Sequence, residues 1–248
     1  MHAGGWCLLG LTIAPVGCHA TDPSALWKIV DGKCLPHQKA TRDPSPCESL
    51  ELASGVEKGF AVLKDINGVA QFLLIPTARI SGIEDPAILA PDATNYWDAA
   101  WQARFFVEQR LHTTLPRDSI SLAVNSSFGR SQNQLHIHID CVRPDVRTAL
   151  TANLDSVGAV WTPFPVPLAG HLYQSIRIGQ ESLDGIDPFR MLGVEQPDMA
   201  KQTLVLIGQT FADGTSGFVL LADHADLLAG DFASGEQLQD HTCAIAAK

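Results

Sequence analysis

The nine residues Gln134-Leu-His-Ile-His-Ile-Asp-Cys-Val142 limit the fold more than any other stretch of this chain. Side chains of a β-strand point alternately to opposite faces. Leu135, Ile137, Ile139 and Cys141 therefore share one face, and Gln134, His136, His138 and Asp140 share the other. One face packs on a core. The other presents two imidazoles about 7 Å apart by strand rise. The chain has to place this strand where one side is covered and the other side is open to chemistry.

The remaining elements follow from period and punctuation. Residues 59–65 read as a strand, Asn67-Gly68 as a hairpin turn, and residues 71–75 as the returning strand, stopped by Pro76. Residues 95–111 have helical spacing, with Trp97, Trp101 and Phe105 on one packing stripe. Residues 119–125 alternate as a strand. A polar loop from 126 to 133 leads into the histidine strand. Further on, a helix is expected over 144–157, an irregular Pro-rich stretch over 161–168 and a strand over 171–178. A hairpin joins 202–208 to 217–222 around Asp213-Gly214, and a short helix is expected over 235–245. Residues 22–55 read as a Pro-rich lead-in without a core of its own.

Of 248 residues, 17 are Lys or Arg and 27 are Asp or Glu, so the net charge is −10. That balance argues against a duplex-binding protein and leaves room for a local site for one phosphate group. No charged residue precedes Asp22, and residues 3–17 are mostly apolar. The run is shorter than the roughly 20 residues that span a bilayer and resembles the apolar part of a secretory signal. Residues 1–21 are therefore expected to be a signal or membrane-anchor segment. Cys7 and Cys18 fall within it. Cys34, Cys47, Cys141 and Cys243 allow three pairings, and an exported protein would oxidise them. Cys34–Cys47, closing the Pro-rich loop, and Cys141–Cys243, tying the C-terminal region to the middle of the chain, are the expected pairs.

A neutral imidazole is a good nucleophile toward phosphorus, and a second can orient it or manage protons. The loop before the strand carries Asn125, Gly129, Arg130, Ser131 and Gln132, whose N–H groups, hydroxyl and guanidinium suit a phosphate oxyanion. His-x-His spacing also serves metal-binding β proteins. Asp140, His171, His224 and His241 are available as third ligands, and the spacing selects none of them. On pattern alone, catalysis and metal binding stand level.

The segment Gln134-Leu-His-Ile-His-Ile-Asp resembles the His-φ-His-φ-His-φ-φ strand of the histidine-triad superfamily, with Gln134 where that family has its first histidine. Further segments resemble the bacterial CDP-diacylglycerol pyrophosphatase family within it. They include Cys34-Leu-Pro, Pro44-Ser-Pro-Cys47, Cys141-Val-Arg-Pro-Asp-Val-Arg147, Gly170-His171 and Asp240-His241-Thr-Cys243. The likeness runs from about residue 26 onward.

It implies an α+β fold: a histidine-triad-like (HIT-like) antiparallel sheet over residues 56–145 with flanking helices, and a C-terminal β/α extension over 146–248. It implies hydrolysis of CDP-diacylglycerol to CMP and phosphatidate, without metal or cofactor. His136 is the implied nucleophile and His138 the group that supports phosphate and proton transfer. Gln134 would donate its amide to a phosphoryl oxygen. Asp65 would hold the ribose hydroxyls, Asn125 and Ser131 would line the phosphate side, and Arg130 would neutralise phosphate charge. His241 is a further candidate. Arg143 and Arg147 are expected in surface ion pairs. The substrate would be met at the membrane surface. The protein is expected at a bacterial inner membrane, N-terminally anchored, with its catalytic domain on the periplasmic side. The alternatives are a hydrolase of soluble nucleotides and a metal-binding β protein.

Overall fold

The computed structural model describes residues 22–246. Among these, nine strands form one antiparallel sheet, with α-helices packed on it, so the fold is α+β. The strands are β1 (Ser49–Glu51), β2 (Phe60–Lys64), β3 (Phe72–Pro76), β4 (Ile120–Val124), β5 (Ile137–Cys141), β6 (Thr162–Pro163), β7 (Gln174–Ile178), β8 (Gln202–Thr210) and β9 (Ser216–His224). Their spatial order is β1-β2-β3-β5-β4-β8-β9-β7-β6. The histidine strand β5 is thus internal, with His138 opposite Leu73 of β3 and Ala123 of β4.

The alternation read from the sequence sorts the two faces. Ile137, Ile139 and Cys141 enter a core with Phe72 and Leu74 of β3, Ile120 and Leu122 of β4, and Leu204 and Leu206 of β8. Helix α3 (Tyr96–Ala103) covers this face with Trp97 and Trp101, which are 0% and 2% exposed. The opposite face carries two separate apolar clusters. One lies over β2 and β3 and holds Leu26, Val30, Cys34 and Cys47 against Ala61, Leu63, Leu73 and Ile75. The other lies over β8 and β9, where Val146 and Leu150 of α5 (Pro144–Asn153) meet Val205, Ile207, Val219 and Leu221. The polar side chains of β5 occupy the space between them.

Several expectations are revised. The Pro-rich lead-in packs against the core. It forms a helical run from α1 (Ala25–Ile29) through a π turn (Val30–Cys34) into α2 (Leu35–Thr41). The helix expected over 95–111 is two helices, α3 and α4 (Phe105–Leu111). Arg104 folds back so that its Nη1 donates to the Trp101 carbonyl at 2.6 Å, claiming the acceptor that the next turn would use. The stripe breaks there, Phe105 is 50% exposed, and Phe106 packs on Phe72 instead. A helix not foreseen, α6 (Pro188–Glu195), starts at the Asp187 cap. Residues 235–245 form only short 3-10 turns. Their backbone is committed to β5: Asp240 N–H donates to the Cys141 carbonyl, and Val142 bridges Gln239.

Both expected disulfides are present, Cys34–Cys47 and Cys141–Cys243. In the chain-entropy model, loops of these lengths are worth about 3 and about 5 kcal/mol. The expected membrane anchor is corrected. Among the described residues, no helix is long and apolar enough to cross a membrane. The longest helical run, residues 25–41, is about 26 Å long at 1.5 Å per residue, short of a hydrocarbon core of about 30 Å. It also carries Lys28, Asp31, Lys33 and Lys39. The N-terminally anchored placement at an inner membrane is therefore not supported. The signal or anchor segment read over 1–21 lies outside the described residues.

Candidate active site

A cavity of about 700 Å³ opens between the two apolar clusters, over the polar face of β5. Its floor is His136 and His138. One wall is the helical run, through Leu26, Ile29 and Lys33, with Leu63 and Leu73 beside it. Asp65, Asn125, Ser131, Gln132 and Glu236 complete the rim. The wall is fastened to the loop before β5. Gln132 Oε1 accepts from Leu26 N–H, Gln132 Nε2 donates to the Asp22 carbonyl, and Asn133 N–H donates to the Pro23 carbonyl. One side of the cavity is therefore aliphatic, and the other is polar and ionisable.

The two imidazoles are buried, their ring centroids 4.8 Å apart. His136 Nδ1 donates to the Gln134 carbonyl at 2.7 Å. That bond fixes the tautomer and leaves the Nε2 lone pair for chemistry. Burial lowers the His136 pKa against the pull of the carbonyl and Glu236, so the ring is neutral at neutral pH. His138 Nδ1 accepts from Gln71 Nε2 at 2.9 Å, which places its hydrogen on Nε2. That Nε2 is buried and has no partner among the described residues.

Gln71 also donates to Glu236 Oε1 at 3.1 Å, so one amide nitrogen serves both an imidazole and a carboxylate. His138 Nδ1 and Glu236 Oε1 are 3.4 Å apart. The contact is not an ion pair at neutral pH, because burial outweighs the Glu236 charge and takes His138 down to about 4. Glu236 is the ionised member. Burial pushes its carboxyl up, but the pull of His138 in the acid range where that ring protonates, and hydrogen bonds from Gln71 and Asn125, bring it below the usual range.

Asn125 is the hinge of this network. Its Nδ2 donates to Glu236 Oε2, while its Oδ1 accepts from Ser234 Oγ and from Glu236 N–H, each at 3.2 Å. His241 stands outside the cavity lining. Its Nδ1 is 2.8 Å from buried Asp140 Oδ2 and its Nε2 is 3.5 Å from Glu236 Oε1. The hydrogen bond to Asp140 raises the His241 pKa, against burial.

The structure brings together His136, His138, Asp65, Asn125 and Ser131 around one cavity, and it places two expected residues differently. Gln134 Nε2 donates to the Pro76 and Ala78 carbonyls, so both amide hydrogens are spent. Gln134 serves the site through its carbonyl and has no amide hydrogen left for a phosphoryl oxygen. Arg130 is turned away into a two-pronged pair with Glu84, at 2.6 and 2.7 Å, and does not line the cavity. Asp65 sits at the hairpin tip with one oxygen accepting from Asn67 N–H at 2.9 Å. Arg143 and Arg147 pair with Asp145 and Asp118. Glu236, Gln71 and Lys33 were not foreseen. Lys33 and Gln71 gave no signal. Glu236 gave an indirect one, because a Cys141–Cys243 bond brings the residues before Cys243 alongside β5.

A family model described as CDP-diacylglycerol pyrophosphatase matches residues 21–247. A CDP-diacylglycerol pyrophosphatase of Yersinia pestis is 44% identical over 226 residues, which is 91% of this chain and 86% of that protein.

Proposed function

The chain belongs to the CDP-diacylglycerol pyrophosphatase family, and on that premise we propose how it hydrolyses the pyrophosphate bond of CDP-diacylglycerol to CMP and phosphatidate. His136 Nε2 attacks the phosphorus that carries cytidine, and the bond to the phosphatidate oxygen breaks. A phosphorus–nitrogen bond then holds CMP on His136. Water displaces it, giving CMP and restoring the neutral ring. The observation that carries this reading is the His136 Nδ1 bond to the Gln134 carbonyl, because it leaves a neutral ring with its free nitrogen toward the cavity.

His138 Nε2–H, a buried donor without a partner among the described residues, supplies a hydrogen bond to a non-bridging phosphoryl oxygen. Lys33, exposed on the cavity wall, offers charge to the second phosphate. Asp65 holds the ribose hydroxyls with its second oxygen, and Asn125 and Ser131 line the phosphate side. We read residues 56–145 as a HIT-like core and 146–248 as its extension, a division supported by the central alternating strand and its antiparallel neighbours. The extension continues the same sheet through β8.

The aliphatic wall of Leu26, Ile29, Leu63 and Leu73 suits the lipid end of the substrate and disfavours a purely soluble nucleotide. A substrate met at a membrane surface accords with Ile66, 99% exposed at the same cavity. The test is release of CMP from CDP-diacylglycerol, compared with a soluble CDP ester, with and without chelator. Radiolabel from the cytidine-side phosphate should be trapped on His136 in acid-quenched protein. Label on another residue overturns the assignment. Preference for the soluble ester overturns the lipid reading.

A further inference from the structure

Three side chains from separate segments meet away from the catalytic cavity. His171 precedes β7, Asp223 lies near the end of β9, and Asp231 belongs to the loop that follows. One donor atom of each lies within 4.8 Å of the other two. His171 Nδ1 is 2.5 Å from Asp231 Oδ2. Each carboxylate has one oxygen fixed by backbone: Asp223 Oδ1 accepts from His224 N–H at 2.7 Å, and Asp231 Oδ1 accepts from Ala233 N–H at 2.8 Å. The second oxygens are the ones left for the gap. Asp223 is only 9% exposed, and its Oδ2 is buried without a hydrogen-bond partner among the described residues.

A buried carboxylate oxygen without a donor is costly, the more so when charged. Two facing carboxylates against one imidazole leave negative charge uncompensated once both ionise. One imidazole with two carboxylates is a donor set for zinc-class ions, whereas calcium and magnesium favour oxygen alone.

We propose that His171, Asp223 and Asp231 form a binding site for a divalent cation of the zinc class, using His171 Nδ1 and one oxygen of each carboxylate. The cation takes the place of the hydrogen on Nδ1, and the ring then carries its hydrogen on Nε2. Water completes the coordination.

The site closes the loop from Ala225 to Ala233 onto the end of the sheet. That loop feeds directly into the hydrolytic site. Ser126 donates from Oγ to the Phe232 carbonyl at 2.6 Å and from N–H to the Ala233 carbonyl at 3.1 Å. Ser234 and Glu236 then bond Asn125. A cation here is a brace for the segment that delivers Glu236. It takes no part in bond breaking.

The experiment uses full-length protein freed of metal by chelator and dialysis. Zn²⁺ uptake is measured by elemental analysis, and melting temperature is followed with Zn²⁺, Ca²⁺ or Mg²⁺. Wild type is expected to hold about one equivalent more Zn²⁺ than Asp223→Asn or His171→Gln, and to melt higher with Zn²⁺ than without it. The variants should show no such rise. Equal uptake by wild type and variants overturns the proposal, as does a rise with Ca²⁺ or Mg²⁺ but not with Zn²⁺. If the variants do not fold, acylation of wild type by diethyl pyrocarbonate decides. Zn²⁺ should protect His171 in peptide maps, and unprotected His171 overturns the site.

Discussion

His136 and Glu236, a hundred residues apart in the chain, line one cavity and are joined through a single side chain pair: Gln71 bonds Glu236 Oε1 and His138 Nδ1 from one nitrogen, and His138 stacks edge-on to His136. The two histidines are therefore tied both to the hairpin before β3 and to the segment after β9. Each part of this arrangement makes a different demand on experiment.

Replacing His136 by Ala should abolish CMP release while the fold persists. The ring sits on the cavity floor and not in the core of the apolar face, so its loss removes little packing. Circular dichroism and a CMP assay check this together. Covalent capture of labelled CMP by the His136→Ala protein would contradict the assignment.

Gln71→Leu keeps the volume and removes the shared donor. His138 Nδ1 and Glu236 Oε1 both lose a partner. Stability should fall by about 1–3 kcal/mol, and kcat should drop at least about tenfold as His138 loses its fixed tautomer. Urea unfolding and steady-state kinetics separate the two effects. A variant with unchanged kcat would mean that the His138 tautomer is irrelevant to the slow step.

Asp65→Asn should weaken binding of CDP-diacylglycerol by roughly 1–3 kcal/mol, the range for hydrogen bonds to a charged group. It should have much less effect on a 2′,3′-dideoxy analogue. Asp65 also receives Asn67 N–H, a bond that holds the turn. Equal losses on both substrates would assign Asp65 to the turn alone.

Arg130→Met should cost stability and leave the turnover of each folded molecule close to wild type. The guanidinium is 8% exposed and Glu84 26%, so removing one partner strands a mostly buried carboxylate. The expected loss is about 2–3 kcal/mol, below the range for fully buried pairs because Glu84 still reaches water. A kcat loss of a hundredfold with unchanged stability would return Arg130 to the phosphates.

Acid stability should depend on His138. Its folded pKa, about 4, lies below the ordinary value of 6.5. Below pH 6.5 the unfolded chain takes up a proton that the fold refuses, so stability is full above 6.5 and declines as pH falls toward 4. His138→Gln should flatten this part of the urea midpoint against pH. His241 acts in the opposite sense. Its raised pKa gives stability that is present below 6.5 and is lost as pH rises through the folded value. A His138→Gln midpoint curve parallel to wild type between pH 6.5 and 4 would show that the imidazole is not held neutral.

Where alternation was strict, the sequence was enough. Leu135, Ile137 and Ile139 went to the core, and His136 and His138 went to the cavity. The helical run over residues 25–41 escaped notice because Pro36 and the polar residues of the lead-in hide a stripe as short as Leu26 and Val30. Burial against Leu63 and Leu73 and the Cys34–Cys47 bond make that stripe count. Residues 235–245 look helical by composition, but pairing with Cys141 and Val142 takes their backbone groups. Arg130 was legible as a cation and not as a neighbour of Glu84, since nothing in local spacing tells which carboxylate a guanidinium will meet. Gln134 was read through its side chain, whereas its carbonyl is what touches His136.

The pairing of β5 with β3 and β4 uses only residues before 142, while Glu236 and the partner of Cys141, Cys243, come about a hundred residues later. During synthesis the histidine strand can be laid down before Glu236 leaves the ribosome. The polar network beside His136 and His138 is therefore complete only once the segment from Ser234 to Cys243 is set back beside β5. If His136 and Glu236 act as proposed, catalytic competence waits on the return of that segment to the sheet.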